Sequence, residues 1–225
     1  MKRFLEIGGI VAGVVLIAFG VAAIALGVNA KNTVGTELKF QQITGTPDMT
    51  PKAITAEAKQ AGLNVSKIPI PSCTVANVAV TNGDQARCFG QYMRIHTLEA
   101  THGYTYSQMG IYTAKPNTPK SQLMPGGGTD NTQYAVIDPK TQQPVQNGPR
   151  QIWVTYTALT TALNSSYMAE QMANFGIVVG IALLLAGGGF IILALGGALE
   201  SGWVFKRSTE TEPAESKQTS APLGV

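Results

Sequence analysis

Two stretches of this chain carry no charged side chain: residues 7–28 (IGGIVAGVVLIAFGVAAIALGV) and residues 175–199 (FGIVVGIALLLAGGGFIILALGGAL). Both exceed the roughly 20 helical residues, at about 1.5 Å each, that cross a hydrocarbon layer about 30 Å thick. A backbone in that layer must satisfy its own N–H and C=O groups, so each stretch is expected to be a membrane-spanning helix. A cleaved signal peptide is the rival reading of the first. Lys2 and Arg3 precede it, and Val28-Asn29-Ala30 places small residues where a signal peptidase would cut. The apolar run is longer than the roughly 7–15 residues of a signal sequence, which favours retention as an anchor.

Between the two runs the pattern changes period. Thr50-Pro51 reads as an N-cap followed by proline at the first helical position, and AITAEAKQA continues that helix until Gly62. Residues 65–71 hold two prolines around Ile68 and Ile70 and read as extended. Residues 75–80 are prone to form a strand, with Asn82-Gly83 as the turn after it. Asp84 is placed to cap a second helix through about Thr101, stopped by His102-Gly103, with Phe89, Tyr92, Met93, Ile95 and Leu98 near helical spacing. Residues 115–130 are rich in Pro, Gly, Thr and Asn and predict a loop. Residues 134–137 predict a short strand, and Asp138-Pro139 and Asn147-Gly148-Pro149 predict turns. From about Arg150, Trp153, Tyr156, Thr160, Leu163 and Tyr167 recur every three or four residues, and neither Pro nor Gly intervenes before Gly176. One helix leaving the domain and entering the second span is expected, and it would fix the domain's orientation to the bilayer.

The fold class that follows is a membrane protein with two transmembrane α-helices forming a hairpin and an α-rich α+β extracytoplasmic domain carrying one disulfide. Its parts are a cytoplasmic N-terminus (1–6), the first span (7–28), the exterior domain (29–174), the second span (175–199) and a cytoplasmic tail (200–225). The sidedness rests on charge. Lys2 and Arg3 flank the first span and Lys206 and Arg207 follow the second, and basic residues near span ends stay in the cytoplasm. Lys31 and Lys39 oppose this, but a long intervening domain gives its charges less weight. Trp203 and Phe205 then suit the inner interface and Tyr167 the outer one. Both termini are expected inside a plasma membrane.

Cysteine usage agrees. Cys73 and Cys88, the only two, both fall in the segment assigned outside, where disulfides persist. A free thiol pair is the alternative, and a zinc site is weaker because no CxxC or clustered His accompanies them. Only 13% of residues are charged, about half the usual roughly 25%. The exterior segment holds eleven Lys/Arg against eight Asp/Glu, a net +3 too mild for a nucleic-acid partner. Residues 208–225 (STETEPAESKQTSAPLGV) have too few large apolar groups to offset the entropy of ordering and are expected to be disordered.

Glycine suggests how the spans meet. Gly9 and Gly13 form GxxxG in the first, as do Gly176 and Gly180 in the second, and small residues let helices approach closely. In an antiparallel pair Gly20 falls near the depth of Gly187–Gly189, so Gly9, Gly13, Gly20, Gly176, Gly180 and Gly188 are the predicted packing positions. Neither span contains Asp, Glu, Lys, Arg or His, which argues against a proton relay or ion path within them.

Catalytic motifs are sparse. The two histidines and one glutamate of His96-Thr97-Leu98-Glu99-Ala100-Thr101-His102 are the residue types that hold non-haem Fe(II). Their three-residue steps suit a helix poorly, because successive ligands spread around it and His96 and His102 lie nearly two turns apart. A surface pair of His96 with Glu99, and His102 at a helix C-terminus, is the structural expectation. Gly126-Gly127-Gly128 matches no phosphate-binding loop, and no GxSxG elbow occurs. Tyr104, Tyr106 and Tyr112 are read as packing or membrane-facing surface. No catalytic residue and no cofactor are expected.

The segments TGTPDMT (44–50), DQARCFGQYMRIHTLEATHGYTYSQMG, PGGGTDN, YAVIDPKTQQPV and LNSSYMAEQ resemble an actinobacterial family of small two-span membrane proteins. The likeness covers most of the exterior domain and reaches the second span. Members often carry the label "aromatic ring-opening dioxygenase", which implies a metal-bound His/His/carboxylate enzyme acting on catechols. The resemblance itself implies a shared architecture without a defined role, and no catalytic residue is carried over from it. The expected function is a non-enzymatic plasma-membrane protein that binds a protein partner, contributes to an envelope complex or forms a homo-oligomer. The alternative is a metal-dependent aromatic ring-opening dioxygenase.

Overall fold

Nothing in the first forty residues breaks a helix. The earliest proline is Pro47, and α1 runs without interruption over Lys2–Phe40 until Gln42 adopts a left-handed φ of 51°. The computed structural model describes residues 2–196. The predicted tail, the interfacial Trp203 and Phe205, the basic pair Lys206 and Arg207 and the last residues of the predicted second span lie outside them.

α2 is Pro51–Gln60, with the Thr50 hydroxyl accepting a hydrogen bond from the Ala53 N–H at 3.2 Å. Gly62, at φ 78°, ends it. There the Gly62 N–H donates to Lys59 O and the Leu63 N–H to Ala58 O, satisfying carbonyls the helix leaves free. α3 is Gly83–Ala100, and its cap departs from expectation. Asn82 is extended rather than in a hairpin turn, and its side chain accepts from the Gln85 N–H at 2.9 Å, the role predicted for Asp84. Gly83 is required for a different reason than a turn. A Cβ there would lie 2.7 Å from Tyr167 Cα, and the Gly83 N–H donates to Glu170 Oε2. A carboxylate is favourable at that helix N-terminus. Glu170 also pairs with Lys31 Nζ at 3.7 Å, and the same ammonium donates to Asn174 Oδ1 at 2.9 Å.

α4 is a single helix, Gly148–Leu195, as the aromatic spacing predicts. The predicted strands are not formed. Among the described residues 75–80 make only isolated bridges, Thr44 with Ala79 and Gly45 with Ala76, and 134–137 make two more, Ala114 with Ala135 and Ile137 with Pro144. The α+β expectation is thereby corrected to a helical architecture. Short 3₁₀ turns and side-chain bonds replace ladders. One example is buried Asn147, whose Nδ2 donates to Gly110 O at 2.9 Å and Gly127 O at 3.1 Å. The loop it pins needs glycine: Gly126, Gly127 and Gly128 all have positive φ.

The chain divides into two compact units, Met1–Ala23 with Val179–Val225, and Ile24–Val178. The second unit contains the core. Ile54 and Ala58 of α2 join Ala86, Phe89, Tyr92 and Ile95 of α3, with Leu38, Met49, Leu63, Val75, Val80 and Leu163 around them. Cys73 and Cys88 form a disulfide with Cα atoms 6.1 Å apart. Tyr92 is fully buried beside it and donates its hydroxyl to Cys73 O at 2.6 Å. Gly27 also belongs here, and a Cβ on it would sit 2.7 Å from Ala173 O.

In the first unit α1 and α4 run antiparallel and touch through glycine. A Cβ on Gly13 would lie 2.6 Å from Gly187 O, one on Gly20 would lie 2.8 Å from Gly180 O, and one on Gly187 would lie 2.7 Å from Gly13 O. Gly188 faces open space, so the contact position is Gly187, one residue earlier than predicted. Both helices are long and apolar enough to cross a membrane. Their other faces leave Val11, Phe19, Leu185 and Ile192 between 55% and 74% exposed.

Two outcomes are expected. Gly187→Leu forces a side chain into a helix backbone and should destabilise by about 1–3 kcal/mol, whereas Gly188→Leu meets no neighbour. Thermal melts of the two variants followed by circular dichroism should differ, and equal melting would contradict the contact. Replacing both Cys73 and Cys88 by Ser opens a loop spanning a sequence separation of 15 and should remove about 3 kcal/mol. Denaturant midpoints read by Tyr and Trp fluorescence check this.

Candidate functional site

The ionisable side chains that the fold draws together lie where α2 meets α3. α3 places His96 and Glu99 one turn apart on one face, and His96 Nδ1 lies 3.2 Å from Glu99 Oε2. The turn before α2 brings Asp48 to the other side of the ring, with Oδ2 3.0 Å from His96 Nε2. Glu57 of α2 completes the group: one donor atom each from Asp48, Glu57 and His96 lie within 4.8 Å of one another. The predicted pair of His96 and Glu99 therefore exists, and it is part of a larger cluster.

His102 is not part of it. It follows the last turn of α3 with a left-handed φ of 51°, exposed, its backbone N–H bonded to Glu99 O. The trio His96, Glu99, His102 does not converge, because His102 lies past the end of α3 and nearly two turns from His96. Asp48 and Glu57, the missing members, sit far away in sequence. Ile54 and Ala58, four apart on α2 and buried against α3, place the neighbouring Glu57 near that side, and no sequence pattern points to Asp48.

Asp48 stands at one ring nitrogen of His96 and Glu99 at the other, with Glu57 as the third carboxylate of the group. Asp48 Oδ2 and Glu99 Oε1 are shielded and accept no aligned hydrogen bond. Burial holds the Glu99 carboxyl above its ordinary range. The bond from His96 opposes that shift, while the charges of Glu57 and Asp48 add to it. Burial, and secondarily Asp48, likewise pushes the Tyr92 hydroxyl up. One imidazole nitrogen with carboxylate oxygens is a donor set for a borderline or hard divalent cation, and Asp48, Glu57 and His96 are the residues that could hold one. With a single histidine it is not the two-histidine, one-carboxylate arrangement of non-haem iron enzymes.

Elsewhere, Arg150 lies over the Tyr106 ring with 4.0 Å to the centroid, Trp153 Nε1 donates to the Tyr104 backbone carbonyl at 2.8 Å, and the Tyr104 and Tyr106 side chains are exposed. No protein family, curated protein or solved structure is found to match the chain.

Because the folded protein holds a proton on Glu99 more tightly than the unfolded chain does, that proton stabilises below the ordinary glutamate value of 4.5. The stabilisation is lost as pH rises through the raised folded value. Glu99→Gln removes the buried charge. Its melting temperature relative to wild type should therefore rise as pH climbs from below 4.5 through the raised folded value. A difference that stays constant or falls across that window would contradict the assignment.

Proposed function

We propose that this chain is a two-span plasma-membrane protein, with its disulfide-bearing unit on the extracytoplasmic side and both ends in the cytoplasm, acting as a non-enzymatic subunit that binds a protein partner. The observation that carries the reading is the character of the two long apolar helices. Only 11% and 17% of their most apolar windows are buried. A core helix of a soluble protein hides such a surface, because each Å² of apolar area left in water costs about 25 cal/mol. Lipid is the solvent that removes this cost. Small residues at the contact positions suit helix pairing there, where close packing replaces the hydrophobic effect as the driving force.

Two features support this sidedness. The Cys73–Cys88 bond belongs in an oxidising compartment. Lys2 and Arg3 at one end, and Lys206 and Arg207 beyond the other, favour the cytoplasm. Partner binding rather than catalysis is favoured by the chemistry of the second unit. The cluster of Asp48, Glu57, His96 and Glu99 contains no Ser, Cys or Lys, and His96 has a carboxylate at each ring nitrogen.

Protease added to intact spheroplasts should cut in the segment that exposes Lys115, Lys120 and Lys140 while a tag after Val225 stays protected. Loss of the tag with that segment intact would reverse the sidedness. Crosslinking in intact membranes should yield a discrete adduct larger than the monomer, and a monomer alone after mild solubilisation would contradict partner binding.

A further inference from the structure

α3 and α4 leave a polar cleft between them within the second unit. It encloses about 250 Å³ and is lined by Arg87, Gln91 and Arg94 of α3 and by Tyr156, Thr160 and Asn164 of α4. Gly90 forms its floor, where a Cβ would already press on Thr160 Cγ2 at 3.3 Å. The lining contains two guanidinium groups and no carboxylate. Neither arginine has an acidic partner within 4 Å among the described residues, whose ion pairs are made by Lys31 and His96.

Each arginine is held from behind with donors left over. Arg94 gives Nη2 to Pro69 O at 2.9 Å, while its Nε is shielded from solvent and donates to nothing. Arg87 lies over the Tyr167 ring, its Cζ 4.7 Å from the centroid. Tyr156 is a proton donor at neutral pH: burial raises its pKa, opposed by the charge of Arg94. Gln91 and Asn164 add neutral amide donors.

We propose that this cleft binds a phosphoryl group, with Arg94 and Arg87 as its charged ligands. Two uncompensated positive charges match the roughly −1.5 to −2 that a phosphate monoester carries at neutral pH. Planar guanidinium forks fit its oxygens in pairs, and the neutral donors of the facing helix supply the remaining contacts. The assignment is independent of the membrane topology. The same chemistry is offered by free phosphate and by a phosphorylated lipid headgroup.

The test uses the full-length protein in two arms: in detergent with inorganic phosphate, and in nanodiscs of phosphatidylcholine with and without phosphatidic acid. Thermal stabilisation is compared with chloride at equal ionic strength. Saturable stabilisation is expected, with the half-saturating concentration raised about tenfold or more in Arg94→Gln and unchanged in Arg150→Gln, whose guanidinium lies outside the cleft. Response to inorganic phosphate assigns a soluble source, and response to phosphatidic acid alone assigns the headgroup. If Arg94→Gln does not fold, the exposed Arg87→Gln carries the same expectation. No stabilisation beyond chloride in either arm, or equal stabilisation of the wild type and the cleft variants, would overturn the site.

Discussion

A carbonyl oxygen 2.6 Å from where a side chain would begin leaves room for hydrogen alone. That is the constraint at Gly13, and its counterparts at Gly20 and Gly187 are nearly as tight. Seven residues separate Gly13 from Gly20, and Gly180 from Gly187, so a single stripe of each helix meets its partner at two turns' spacing. The close approach is possible because each glycine offers no side chain of its own, and Ile17, Leu184 and Ile191 of the facing helix fill the space beside it. The exposure of Phe19 and Leu185 and the burial of Gly20 and Gly187 are thus two sides of one packing arrangement.

The second unit is held by different means. Its helices are short enough to need their ends satisfied, and Thr50, Asn82 and Glu170 each accept a backbone N–H at a helix start. The disulfide and the Tyr92 hydroxyl fasten the irregular segment around Cys73 to α3. Polar groups gathered by this packing then acquire their character. Burial holds the Glu99 carboxyl above its ordinary range, whereas Arg94 gives Nη2 to Pro69 O and lines the cleft between α3 and α4.

Features carried by neighbouring residues are legible in the sequence, and those made by tertiary packing are less so. Charge-free runs, the Thr50-Pro51 start and the aromatic spacing after Arg150 each depend on residues adjacent in the chain, and the corresponding helices form. Asn82-Gly83 was misread because the same dipeptide serves a hairpin turn or a helix cap, and only the packing of Tyr167 against Gly83 decides between them. The segments 75–80 and 134–137 have strand-forming residues but find no continuous partner, so propensity alone does not produce a sheet. The cluster around His96 was half visible. Glu99 is a neighbour in sequence, while Asp48 and Glu57 arrive through tertiary packing. The cleft of Arg87 and Arg94 was invisible for the same reason, since three of its seven lining residues come from α4.

The central claim is that the outward faces of α1 and α4 stand in lipid. Spin labels placed singly at Phe19, Leu185 and Ile192, with the native cysteines retained in their disulfide, report this directly in reconstituted bilayers. The account predicts that collisions with oxygen exceed those with a water-soluble nickel chelate at all three, and that a label at Lys140 shows the reverse. Frequent collisions with the chelate at Phe19, Leu185 and Ile192 would contradict it.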